Sequence, residues 1–233
     1  MAQANLAREC LTLSVQQTMT DCTSGEAPAE PATPTWVFVR HGKTNKPQTW
    51  TREADLARTL TDVGRDAVVA ARARWYEPLI ASCADGESGV ALFSSPAGRC
   101  LETARLLIGP DGPEPEQVVP IYDFIQSPEF VPVCEELGYA PLQAYHSYSG
   151  AVCGVMDNHG AAVMELLNVE LSKRAQPPSL VVVFGHAIVS ACYARTVALA
   201  RGLPEEEIRK LEAINQQEVT GLKVSATGVE ILE

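Results

Sequence analysis

The chain is short of several things, and each shortage narrows what it can be. Lys and Arg together number 18 against 29 Asp and Glu, a net charge of −11. So acidic a surface is a poor general binder of nucleic acid or of anionic membrane, and an anion would need a local basic pocket. No run of about 18 apolar residues exists, so no spanning helix is expected. The seven cysteines (Cys10, Cys22, Cys83, Cys100, Cys134, Cys153 and Cys192) are odd in number, scattered, and form no C-x-x-C pair. They read as reduced thiols in a cytosol-like compartment. The first residues lack a basic stretch followed by an apolar one, so a secretory signal is not expected. Only four histidines are present. His146 and His159 do not stand in H-E-x-x-H or similar metal spacing, so no metal and no cofactor is expected.

What is present suits one soluble domain of ordinary size, 233 residues with 46% hydrophobic and 20% charged content. Aromatics supply only 6% while Ala and Val abound, a mixture suited to helices packed on a buried sheet. Residues 1–34 read as a flexible tail and linker, because Pro28, Pro31 and Pro34 block helix and strand alike. Residues 35–233 read as the folded domain.

Three apolar runs mark buried strands: Trp36-Val37-Phe38-Val39, Val90-Ala91-Leu92-Phe93 and Leu180-Val181-Val182-Val183-Phe184. A weaker strand is expected over 117–122 and two closing strands over 219–224 and 229–232. Thr61-Asp62 caps a helix expected to reach about Ala81. Pro96 opens another that stops at Gly109-Pro110. The segment from Asp123 to about Val155 is broken by Pro128, Pro132, Pro141 and Gly138, and reads as irregular. Helices are expected over 156–175, over 187–201 and from Pro204. This alternation predicts an α/β fold, a three-layer α/β/α sandwich on a mostly parallel sheet. Active sites of such sheets lie beyond the carboxyl ends of the strands. Three strand ends here carry one kind of chemistry: Arg40-His41-Gly42, the Ser94-Ser95-Pro96 turn leading to Arg99, and Gly185-His186.

Arg40 and Arg99 offer fork-shaped donors that match phosphate oxygens. A neutral imidazole can attack phosphorus, and a second can donate to a phosphate oxygen. Phosphoryl transfer asks mainly for positioning and charge neutralisation, which a basic pocket supplies without a metal.

The motifs resemble those of the histidine phosphatase superfamily, the phosphoglycerate-mutase-like group. Val37 to Thr44 resembles its strand and RHG motif, Arg58 to Gly64 its L-T-x-x-G element, and Phe93 to Ala104 its S-S-P-x-x-R…T-A element. Val182 to His186 resembles its second histidine element. The resemblance implies that His41 becomes phosphohistidine, that Arg40, Arg99 and His186 hold the phosphoryl group, and that Thr44 also donates to it. It further implies an acid that protonates the leaving oxygen. Asp123 is the first candidate, Glu129 the second, with Glu135 and Glu136 more distant. The sequence departs from the family after the RHG motif, where Pro47 stands in place of a phosphate-binding Asn. Lys43 and Lys46 would make the entrance more positive. The implied activity is that of a cytoplasmic phosphomonoester hydrolase acting on a small phosphorylated molecule, with a phosphoprotein as a further substrate class. The alternatives are a phosphoglycerate-mutase-type phosphotransferase and a weakly active or non-catalytic phospho-ligand-binding member. The oligomeric state is left open.

Overall fold

A computed structural model describes residues 33–46, 51–83, 89–138, 140–148 and 150–233. They fall within one compact unit, Pro31–Glu233. The expected tail over 1–34 lies almost wholly outside the described residues, as do Pro47, Cys10 and Cys22.

A six-stranded sheet with the order β3-β2-β4-β1-β5-β6 carries the fold. Its strands are β1 (Thr35–Arg40), β2 (Val90–Ser94), β3 (Glu116–Gln117), β4 (Leu180–Gly185), β5 (Gly221–Val224) and β6 (Val229–Leu232). The first four run parallel. β5 pairs antiparallel to β1, and β6 antiparallel to β5. β4 lies between β1 and β2, and all six of its residues are buried, which is why it reads as an unbroken apolar run. Side chains of β1 alternate between two cores. Trp36 and Phe38 join Tyr193 and Met164 on one face, while Val37 and Val39 join Val68, Trp75 and Leu107 on the other. These are the two inner surfaces of the expected three-layer sandwich.

The helices that matter for the site are α1 (Arg52–Leu56), α2 (Asp62–Ala71), α3 (Glu77–Ala81), α4 (Gly98–Ile108) and α5 (Val119–Ile125). They are followed by α6 (Val131–Leu137), α7 (Leu142–Tyr148), α8 (Gly150–Ser172), α9 (Ala187–Ala200) and α10 (Glu205–Ala213). Thr61 caps α2 as expected, its Oγ1 accepting from Gly64 N at 3.0 Å. A π-helical turn over Arg72–Tyr76 joins α2 to α3, so helical backbone runs to Ala81.

Three expectations need correction. The strand expected over 117–122 shrinks to two residues. The sequence Val119-Pro120-Ile121-Tyr122 starts α5 instead, with proline in its first turn. The segment expected to be irregular holds α6, α7 and the beginning of α8. Two of its prolines start helices rather than interrupting them: Pro132 lies in the first turn of α6, and Pro141 immediately precedes α7, while Pro128 lies in the turn between α5 and α6. Finally, α4 begins at Gly98, with Ala97 at its N-cap, so Pro96 stands before the helix. Among the described residues, no helix is long and apolar enough to cross a membrane.

Candidate active site

The carboxyl ends of β1, β2 and β4 bring His41, Arg99 and His186 together. The backbone continues the sheet into the site. His41 N donates to Gly185 O at 3.1 Å, and Ser95 N donates to Phe184 O at 2.9 Å. The two histidine rings meet edge to face with centroids 5.4 Å apart.

The partners of His41 fix its tautomer. Nδ1 lies 2.8 Å from Gly42 O, which can only accept, so Nδ1 carries the proton. Nε2 lies 3.3 Å from Arg99 Nε, which can only donate, so Nε2 presents its lone pair. Burial, then the Arg99 charge, lower the ring's pKa from 6.5 to about 3, with Arg40 and Arg58 adding to the effect. The imidazole is therefore neutral at pH 7, with its Nε2 lone pair turned toward Arg99. His186 is buried as well, and burial, Arg99 and His41 hold it well below its ordinary value. Its Nε2 lies 3.1 Å from Ser95 Oγ. The Cys100 thiol sits 3.8 Å from the same nitrogen, and burial pushes its pKa up to about 12, so it stays protonated.

The motif residues around this centre have structural work of their own. Thr103 Oγ1 accepts from Gly42 N at 3.0 Å and donates to Arg99 O at 2.7 Å, clamping the turn after His41 onto α4. Glu102 receives Leu60 N at 2.7 Å and Arg65 Nε at 2.6 Å, tying α4 to the start of α2. Gly64 is required because a Cβ there would lie 2.4 Å from Lys43 O. A Cβ on Gly98 would lie 3.0 Å from Arg58 O. Both glycines allow helix starts to press against the chain that carries Thr44 and Arg58.

The other expected residues divide into two groups. Arg40 ends β1, and its Nη1 donates to Gln216 O at 2.6 Å. Thr44 bridges to Leu60, and its Oγ1 accepts from Arg58 Nη2. The charges of Arg40 and Arg58 both act on the His41 ring. Asp123 lies on α5, half-exposed, in an ion pair with Arg52. Glu129, Glu135 and Glu136 are exposed, and Glu136 accepts from Tyr148. Lys43 and Lys46 are exposed too. The aromatics Phe124, Phe130 and Tyr145 pack against one another in the core. Among the described residues, no three His, Cys, Asp or Glu side chains gather into a metal-binding group.

Three further residues belong to the site although the sequence did not single them out. Asp55 on α1 is buried. Its carboxylate accepts from Arg58 Nη1 at 2.9 Å, Arg99 Nη2 at 3.1 Å and Tyr122 OH at 3.0 Å. Arg58 Nε also donates to Asn45 O at 2.9 Å. The signal for Asp55 and Arg58 was their i, i+3 spacing after Thr51, whose Oγ1 caps α1. Tyr122 was hidden by the strand expected there.

No protein-family model matches the chain, and no curated protein matches it in sequence. Solved structures do match. A mycobacterial glucosyl-3-phosphoglycerate phosphatase in complex with VO3 is 18% identical. The match covers 85% of this chain and 97% of that one, with a TM-score of 0.50. The chain shares the fold of that phosphatase, a phosphoglycerate-mutase-like α/β/α sandwich. Other matches include a protein from Agrobacterium tumefaciens assigned as the phosphohistidine phosphatase SixA, at 13% identity. It covers 88% of this chain and 97% of that one, with a TM-score of 0.48. An Entamoeba histolytica phosphoserine phosphatase solved with 3-phosphoglyceric acid is also 13% identical. It covers 86% and 96%, with a TM-score of 0.46. At 18% identity the first of these likenesses establishes the fold alone, and the activity has to be argued from the site.

Proposed function

We propose that the protein is a metal-independent phosphomonoester hydrolase that carries the phosphoryl group transiently on His41. One observation carries this reading. A neutral imidazole, its tautomer fixed by Gly42, turns its Nε2 lone pair into a pocket of guanidiniums beside a second neutral imidazole.

In the first step Nε2 of His41 attacks phosphorus. A P–N bond forms, the ester P–O bond breaks, and the leaving oxygen takes a proton from a carboxylic acid. Arg99 Nε, released from His41 Nε2, turns to an equatorial phosphoryl oxygen, with Arg40, Arg58, Thr44 and His186 arranged around the others. In the second step water attacks phosphorus and gives its proton to the carboxylate. The P–N bond breaks, and inorganic phosphate leaves. Asp123 is the first candidate for the acid and Glu129 the second. Asp123 has to leave its ion pair with Arg52 and hold a proton to serve. The substrate is a phosphorylated small molecule or a phosphorylated side chain.

The surface pairing of Asp123 favours one second reading, a phospho-ligand-binding protein with little turnover. Release of phosphate from p-nitrophenyl phosphate in EDTA separates the two, since this leaving group needs little help from an acid. Turnover that disappears in His41→Ala supports the hydrolase. Equal turnover in His41→Ala overturns the covalent scheme, and complete loss on chelation overturns the metal-free one.

A further inference from the structure

Resting on the reading of this pocket as a phosphoryl site, we propose that Asp55 is a positioning residue whose carboxylate, held by Tyr122, orients the Arg58 and Arg99 guanidiniums. None of the motif elements contains Asp55, and it lies outside every element that carries the family resemblance. The geometry nonetheless makes it the hub of the pocket. Oδ1 receives Arg58 Nη1, and Oδ2 receives Arg99 Nη2 and Tyr122 OH. The backbone oxygen of Asp55 receives Arg99 Nη1 at 2.8 Å. One residue thus holds both terminal nitrogens of Arg99, whose Nε reaches the attacking nitrogen of His41. Gln126 Nε2 approaches Oδ2 at 3.4 Å from the outer side.

Charge supplies the reason for a carboxylate there. Buried guanidiniums brought close together without a counter-charge would repel and splay. Burial pushes the Asp55 carboxyl up, but Arg99, Arg58 and Tyr122 more than offset this, and it stays ionised below the usual carboxylate range. Three guanidiniums less one carboxylate leave two net positive charges beside two neutral histidines. That complements a phosphate monoester, which carries about −1.5 to −2 at pH 7. Asp55 and the incoming phosphoryl group share the same two arginines, Asp55 from behind and the phosphoryl from the open side. Preset forks are what in-line attack needs, because a 1 Å misplacement costs about 100-fold.

The test is a double-mutant cycle of Asp55→Asn and Arg58→Ala, read by isothermal titration with inorganic phosphate and by kcat/KM on p-nitrophenyl phosphate. In Asp55→Asn an amide donor faces the guanidiniums, and kcat/KM is expected to fall about 100-fold, with phosphate affinity falling alongside it. In an Arg58→Ala background the same change should cost less than about tenfold, because part of what Asp55 orients is already gone. Full additivity, or wild-type phosphate affinity and kcat/KM in Asp55→Asn, overturns the proposal. If Asp55→Asn does not fold, Tyr122→Phe loosens the same carboxylate while keeping both arginine bonds. About a tenfold loss in both readouts is then expected, in line with removing one supporting contact, and no loss overturns it. A protein that binds phosphate with a non-additive cycle but never releases it from an ester keeps this inference and removes the hydrolase. His41-dependent turnover with a silent Asp55 does the reverse.

Discussion

Thr103 is a sharp place to test whether the site is held as described. Its hydroxyl accepts from Gly42 N at 3.0 Å, and Thr103 is completely buried. Val has nearly the same shape, so Thr103→Val leaves packing intact while removing one acceptor and one donor. Arg99 O is a helix carbonyl on α4 and keeps the backbone partner of its turn, so its loss is small. Gly42 N is left buried without an acceptor, at a cost of about 1–3 kcal/mol. In a chain of this size about 2 kcal/mol lowers the unfolding midpoint by roughly 4–8 °C. The effect on activity follows from the adjacent carbonyl. Gly42 O lies on the next peptide plane and fixes the His41 tautomer, so a turn that shifts to bring Gly42 N to water also moves the carbonyl that orients the ring. A loss of about tenfold in kcat is expected, a fraction of the about 100-fold given for a full 1 Å misplacement. Thr103→Ser, which keeps the hydroxyl, should recover most of it. Differential scanning calorimetry with p-nitrophenyl phosphate kinetics reads both. A Thr103→Val protein that melts and turns over like wild type, or a Thr103→Ser protein as poor as Thr103→Val, would refute the clamp.

Three more expectations rest on separate observations. Gly64→Ala drives a methyl to within 2.4 Å of Lys43 O, so either α2 or the Thr44 loop must shift; a several-fold weaker affinity for inorganic phosphate is expected by titration. The folded His41 has a pKa of about 3 against 6.5 for an ordinary His, so below pH 6.5 the unfolded chain takes up a proton that the folded chain refuses. Stability present above pH 6.5 is lost as pH falls toward 3, at up to about 1.4 kcal/mol per pH unit from this group, and urea unfolding of His41→Gln between pH 6.5 and 4 should show a shallower decline by that amount. Asp123→Asn should slow substrates with alkyl leaving groups at least tenfold more than p-nitrophenyl phosphate, as expected for loss of general-acid help; parallel losses on both substrates would move the acid role to Glu129.

The sheet centre was legible because burial on both faces leaves no choice of residue. The runs ending at Arg40, Ser94 and Gly185 are strands with nearly the expected bounds. The region after β3 was not legible, and the reason lies in proline. Val119, Ile121 and Tyr122 are β-prone, yet the proline among them, at the first turn of a helix, gives up only an N–H that had no partner anyway. Tertiary packing then decides. Ile121, Tyr122 and Phe124 are all buried, which suits a helix lying on the core. The same misreading moved Asp123 from a strand end to the outer face of a short helix, where it meets Arg52 rather than the pocket.

A similar asymmetry runs through the site. His41, Arg99 and His186 follow directly from strand ends, so their convergence could be read from the order of elements. Asp55 could not, because a counter-charge has no fixed place in the topology. It only has to arrive within hydrogen-bond range of the guanidiniums, and here it comes from the five-residue helix α1. Tyr122 reaches the same carboxylate from α5, a further 67 positions along the chain. The two histidines and Arg99 are thus placed by the sheet, whereas the carboxylate between the arginines is placed by packing between loops and short helices. Physical accounting is the way to find such a residue: one buried and two half-buried guanidiniums beside two neutral imidazoles call for an anion, and Asp55 is the carboxylate that touches two of them.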